Sequence, residues 1–132
     1  MIEKLIKESL ELLRNLIRTQ SFSKEEDKTA NLIAEFLEER GVRIHRKMNN
    51  VWAYNQHFDP AKPTVLLNSH HDTVKPNSGY SRDPYDAAIE DDKLFGLGSN
   101  DAGGCLVSLI GTFLYFYTQK DLKYNICLAA TA

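Results

Sequence analysis

The chain has 132 residues, a formal net charge of -2, 42% hydrophobic residues and 26% charged ones. That length suits one modest domain around a single core, and that composition excludes a disordered or low-complexity chain. Lysine and arginine are scattered, so charge gives no reason to expect nucleic acid or an anionic membrane as partner.

The first element predicted is an amphipathic helix over residues 2–18. Ile2, Leu5, Ile6, Leu10, Leu13, Leu16 and Ile17 recur at three- and four-residue steps, opposite Glu3, Lys7, Glu11 and Arg14. Charge interrupts this opening too often for the apolar centre of a signal peptide, and a cytoplasmic protein is expected. After Thr19-Gln20-Ser21-Phe22, Ser23 with Glu26 has the spacing of a capping box. A second helix is predicted over 24–40, burying Ala30, Ile33, Ala34 and Leu37 and ending at Gly41.

Residues 42–45 and 51–54 read as two strands joined through Lys47-Met48-Asn49-Asn50, where asparagine tolerates a positive φ. Asp59-Pro60-Ala61-Lys62-Pro63 is a turn. Residues 64–69 form a strand with Val65, Leu66 and Leu67 in succession, a pattern expected inside a sheet. A long polar connection, 73–93, is of the kind that usually covers or builds a site. A short strand over 94–98 follows, then an apolar helix to residue 117 and a strand over 124–130, which is expected to leave an exposed sheet edge. Strand, helix and strand in this order suggest a right-handed βαβ crossover. The fold class expected is therefore α/β, with a mixed, largely parallel sheet flanked by helices. Cys105 and Cys127 belong to no C-x-x-C pair and read as reduced core residues. No apolar stretch reaches the about 20 residues needed to span a bilayer.

The candidate chemistry lies at two element boundaries. His70 and Asp72 stand just past the end of a strand, where sites collect in open α/β sheets. Residues two apart in extended chain project the same way. An imidazole could therefore bind a metal such as zinc while the carboxylate orients it. A bare His-x-Asp is a weak motif, and a polar loop containing a histidine by chance remains the alternative. His71 should point the other way and reads as a bystander, as do His45 and His57. Asp101 lies between Gly96-x-Gly98 and Gly103-Gly104, where unusual backbone dihedrals are available. Taken singly it reads more simply as the N-cap of the next helix. The glycines lack the offset and the lysine of a phosphate loop, which argues against nucleotide binding.

Taken together, Ser69-His70-His71-Asp72-Thr73-Val74, Arg82-Asp83-Pro84-Tyr85 and Lys93-Leu94-Phe95-Gly96-Leu97-Gly98-Ser99-Asn100-Asp101-Ala102-Gly103-Gly104 closely resemble the zinc-dependent deacylase and exopeptidase family. Ser21-Phe22-Ser23 and the closing Ile126-Cys127-Leu128-Ala129-Ala130-Thr131-Ala132 are also similar to its N-terminal region, so the resemblance spans the whole chain. It implies that His70 binds one zinc ion, that Asp72 holds that histidine, and that Asp101 bridges two zinc ions. Cobalt is a possible substitute for zinc. The bond after such an aspartate is often cis, which makes Asp101-Ala102 a candidate.

The implied reaction is hydrolysis of an amide beside a carboxylate, in which a zinc-activated water attacks and a glutamate carries the proton. N-acetylornithine, in arginine biosynthesis, is the implied substrate among N-acyl amino acids. A di- or tripeptide exopeptidase and a non-catalytic binding module are the alternatives. The family's pair of acidic residues, general base and ligand, would follow Ala132 and is missing from this sequence. Residues 1–132 are accordingly expected to be the N-terminal portion of the catalytic domain. The lid domain and further ligands would lie later in a homodimeric enzyme.

Overall fold

The computed structural model describes every residue from Met1 to Ala132. Helix α1, Ile2–Arg18, occupies the predicted span and buries Leu12, Leu13, Leu16 and Ile17. Ile2, Ile6 and Leu10 stay exposed, so only the second half of its apolar stripe is used.

Helix α2, Asp27–Glu38, begins later than the capping box suggested. Its N-cap position is Glu26, and no side chain caps it. The reason is Lys24, whose φ of 72° takes the backbone out of the helical path. The carboxylate of Glu26 is buried and used elsewhere: it accepts from the Lys24 backbone N–H and from the Asn49 side-chain amide. Gly41 does terminate the helix as expected. At φ 76° its N–H bonds to the Glu38 carbonyl, and the Val42 N–H reaches back to Leu37, which is a Schellman ending.

The remaining elements are β1 Ile44–Lys47, β2 Asn50–Tyr54, β3 Thr64–His70, β4 Ile89–Glu90, β5 Lys93–Leu94, helix α3 Gly104–Phe116 and β6 Asn125–Thr131. The sheet order is β1-β2-β6-β3, with β3 parallel to β6 and the other pairs antiparallel. In the first hairpin Lys47 pairs with Asn50, which leaves Met48 and Asn49 as the turn. Met48, rather than an asparagine, carries the positive φ, 55°. The long polar connection contains a second hairpin, β4–β5, turning through Asp91 and Asp92, both at positive φ. The predicted strand over 94–98 shrinks to its first residue.

The sheet has one covered face. Val51, Ala53, Leu128 and Ala130 alternate inward and join Ala30, Ile33, Leu37, Leu106, Ile110 and Phe113 of the helices in a single core. The other face carries Trp52 stacked on His45, Tyr54 edge-on to Phe58, and Leu66. Two expectations about edges are reversed. The C-terminal strand β6 is interior, and the apolar β3 is the edge, with Val65 and Leu66 exposed at 45% and 61%. The cysteines are free, but neither is a core residue: Cys105 is exposed, and Cys127 lies half-buried on the open face beside Leu66. Burial still raises the Cys127 thiol above its ordinary pKa.

Phe113 is fully buried at the centre of this core, while its neighbour Thr112 faces solvent. Phe113→Ala should cost about 3–5 kcal/mol in urea denaturation. Thr112→Ala should stay within about 0.5 kcal/mol of the parent.

Candidate metal centre

The end of β3 builds the candidate site. His70 is the last paired residue of the strand, matched with Thr131 of β6, and the His71 N–H still bonds to the Thr131 carbonyl at 3.0 Å. Beyond it, Thr73 is tied to the loop before α2. Its N–H bonds to the Ser21 carbonyl at 2.7 Å, and its carbonyl accepts from Ser23 at 3.3 Å. The segment is therefore held by backbone bonds on both sides.

Extended geometry then sorts the side chains. His70 and Asp72 leave on one side: His70 Nδ1 lies 3.2 Å from an Asp72 carboxylate oxygen and 3.2 Å from the Asp72 carbonyl. His70 Nε2 lies 3.0 Å from Asp101 Oδ1. Both ring nitrogens face acceptors, and the proton of a neutral ring serves only one side; with that proton on Nδ1, Nε2 presents a lone pair to the Asp101 carboxylate. In that tautomer a cation between Nε2 and Asp101 Oδ1 satisfies both. An imidazole nitrogen and a carboxylate oxygen are the donor types that zinc takes, so this pair fits a metal ion. No group of three or more His, Cys, Asp or Glu side chains gathers as a complete metal site.

Asp101 reaches this point from an irregular turn, Ser99–Gly103, that precedes α3. Gly98, at φ 79°, starts the turn, and its carbonyl accepts from the Gly103 N–H at 2.8 Å. Gly98 must also be glycine on spatial grounds, since a Cβ there would meet Thr73 Cγ2 at 2.6 Å. The bond Asp101–Ala102 is cis, as the resemblance implied. The N-cap reading of Asp101 is not realised: the N-cap of α3 is Gly103, and no side chain caps it. The Asp101 side chain is 90% exposed, against 28% for Asp72, so its carboxylate stands free for a ligand.

A cleft of about 610 Å³ opens beside these residues, lined by His70, Asp72, Tyr80, Arg82, Phe95 and Asp101 among others. That volume suits a small molecule. Arg82 lies over the Phe95 ring at 3.8 Å and donates to Glu90 at 2.7 Å, and this bond holds the Glu90 carboxyl below its usual range. No glutamate lines the cleft.

His71, a bystander by its sequence position, is the buried partner of this arrangement. Its Nε2 lies 2.8 Å from the Asn49 carbonyl and its Nδ1 2.8 Å from the Thr29 hydroxyl. Strand alternation was the available signal, since it sends His71 inward wherever His70 points out. His45 lies on the open sheet face, and His57 lies in the exposed loop after β2.

No protein-family model matches the chain. Individual proteins do. A succinyl-diaminopimelate desuccinylase of Acidiphilium cryptum (strain JF-5) is 30% identical over 100 residues, covering 75% of this chain and 27% of its own length. The same-named enzyme of Gluconobacter oxydans (strain 621H) is 28% identical over 128 residues, covering 91% of this chain and 33% of its own. Among solved structures, the M20 family metallo-carboxypeptidase Sso-CP2 from Sulfolobus solfataricus superposes with a TM-score of 0.77 at 25% identity, over 93% of this chain and 30% of that one. The di-peptidase Dug1p from Saccharomyces cerevisiae superposes with a TM-score of 0.74 at 20% identity, over 99% and 33%. The chain spans about a third of the length of the relatives it matches.

The fold is thus that of an M20 metallopeptidase domain. The named relatives and the superposed structures match the deacylase and exopeptidase family that the motifs resemble.

Burial holds the His71 imidazole below its ordinary pKa, against the opposing pull of the Asn49 carbonyl and of the Glu26 and Asp72 charges. The unfolded chain therefore takes up this proton first, and stability falls as pH drops below the unfolded value of about 6.5. Urea midpoints measured at pH 7.5 and 5.5 should drop further in the parent than in His71→Gln, which has no proton to gain. An equal drop in both would remove His71 as the cause.

Proposed function

We propose that residues 1–132 are the N-terminal portion of the catalytic domain of a metal-dependent amidohydrolase that cleaves an amide beside a carboxylate. The observation that carries this reading is the meeting of His70 Nε2 and Asp101 Oδ1 at 3.0 Å at the mouth of a ligand-sized cleft. In this reading His70 and Asp101 hold zinc, or cobalt in its place. Asp72 accepts the Nδ1 proton of His70, which fixes the ring and makes Nε2 a better donor. A metal held by these residues would supply Lewis acidity toward a carbonyl and toward water. The resemblance would give Asp101 a share in a second ion, and its exposed carboxylate has a second oxygen for that role.

The absence of any glutamate from the cleft supports a second statement, that these 132 residues alone do not turn over substrate. The apolar edge of β3 and the aromatic open face suit surfaces that are covered in a longer protein. The substrate class is an N-acyl amino acid or a short peptide. N-acetylornithine, and with it arginine biosynthesis, is the substrate favoured by the motif wording. N-succinyl-diaminopimelate is the one favoured by the names of the desuccinylase relatives. A dipeptide is favoured by the name of Dug1p. The resemblance alone supports a cytoplasmic homodimer as the full-length state. No helix is long and apolar enough to cross a membrane.

Zinc titrated calorimetrically into the chain should bind weakly and at one site, and His70→Ala should abolish that binding. Two tight sites, or binding that survives His70→Ala, would overturn the ligand assignment. Zinc-dependent release of acetate or succinate by the purified 132-residue chain, above a His70→Ala control, would refute its inactivity. In a full-length enzyme carrying these residues, Asp72→Ala should lower metal affinity or kcat by about 10–100-fold.

A further inference from the structure

Two adjacent histidines sit at the end of β3, and the proposed chemistry uses only the first. His71 is buried at 6% exposure, yet both ring nitrogens have partners. Nε2 faces the Asn49 carbonyl, which can only accept, so Nε2 carries the proton. Nδ1 is then bare and accepts from the Thr29 hydroxyl at 2.8 Å, the shorter of two contacts that share its one proton, the other being the Glu26 carbonyl at 3.1 Å. His70 suits a metal in the opposite pattern, with its proton on Nδ1 toward Asp72 and Nε2 bare toward Asp101.

The partners of His71 belong to different parts of the fold. Thr29 is in the first turn of α2. Asn49 is in the β1–β2 turn, and its side-chain amide bonds to buried Glu26, which precedes α2. His71 thereby ties the end of β3 to two elements that are 42 and 22 residues away in sequence. An apolar residue of the same size would fill the space and leave the Asn49 carbonyl and the Thr29 hydroxyl without this partner. No buried side-chain nitrogen or oxygen in the molecule lacks a partner at present.

We propose that His71 is a positioning residue for the metal site. Because consecutive side chains leave an extended backbone on opposite sides, anchoring residue 71 inward fixes the direction in which residues 70 and 72 leave outward. The inward bonds of His71 hold the His70 ring with Nδ1 on Asp72 and Nε2 on Asp101. The proposal rests on the reading of His70 and Asp101 as metal ligands only for its consequence on affinity. The ring orientation itself can be read without metal.

The test uses the 132-residue chain, with the His70 ring tautomer read from its imidazole nitrogen resonances and zinc affinity read by titration. His71→Ala should lower the share of the Nδ1–H tautomer of His70 and weaken zinc binding about tenfold. His71→Gln, whose amide can both donate and accept, should restore the tautomer and most of the affinity. Thr29→Val, which removes one bond at nearly constant shape, should move both in the same direction by less, and it serves if His71→Ala does not fold. Ile110→Val, a core change remote from the site, should move neither.

The proposal is overturned if folded His71→Ala keeps the parent His70 tautomer, or if Ile110→Val disturbs it equally. A disturbed tautomer in a chain that binds no zinc would uphold the positioning role and remove the metal reading. His70-dependent zinc binding that is unchanged in both His71→Ala and Thr29→Val would do the reverse.

Discussion

The one-residue alternation of the backbone at the end of β3 is the constraint on which the site depends. It divides two neighbouring histidines between two media. His70 goes toward water, a carboxylate on either side of its ring. His71 goes into the protein, between a carbonyl and a hydroxyl. A slip of one residue in the pairing of β3 with β6 would exchange them. The parallel register, Leu67 with Leu128 and Ser69 with Ala130, prevents that slip by keeping the apolar side of both strands against α3.

The second half of the site depends on close backbone approach. Asp101 is carried on a turn that starts at Gly98 and closes back on the Gly98 carbonyl. Gly98 in turn rests against Thr73, and Thr73 is paired to the loop before α2. The His70 loop and the Asp101 loop are therefore in contact, although 31 residues separate the two side chains in sequence. The distance between imidazole and carboxylate is set by backbone packing and not by flexible side chains meeting across a gap.

Much of this was legible in the sequence, and the reasons differ from element to element. α1 was readable because its apolar spacing is regular over four turns. The Gly41 terminator was readable because few residues other than glycine hold that backbone. The pairing of His70 with Asp72 followed from strand geometry. The meeting of His70 with Asp101 did not, because no local pattern encodes a contact across that connection. It entered only through the family resemblance. The start of α2 was misread because Ser23 and Glu26 have capping spacing while Lys24 between them leaves the helical region. The anchoring of His71 leaves no local signal, because its partners, Thr29 and the Asn49 carbonyl, are distant in sequence and one of them is backbone.

β3 was expected inside the sheet because it is apolar on both faces, and it stands at the edge. Its outer row of N–H and carbonyl groups meets no strand, and Val65 and Leu66 sit in the open beside it. Such a strand is a template for another backbone. The same apolar run that would suit an interior strand leaves a free edge here, to which a second extended backbone can add.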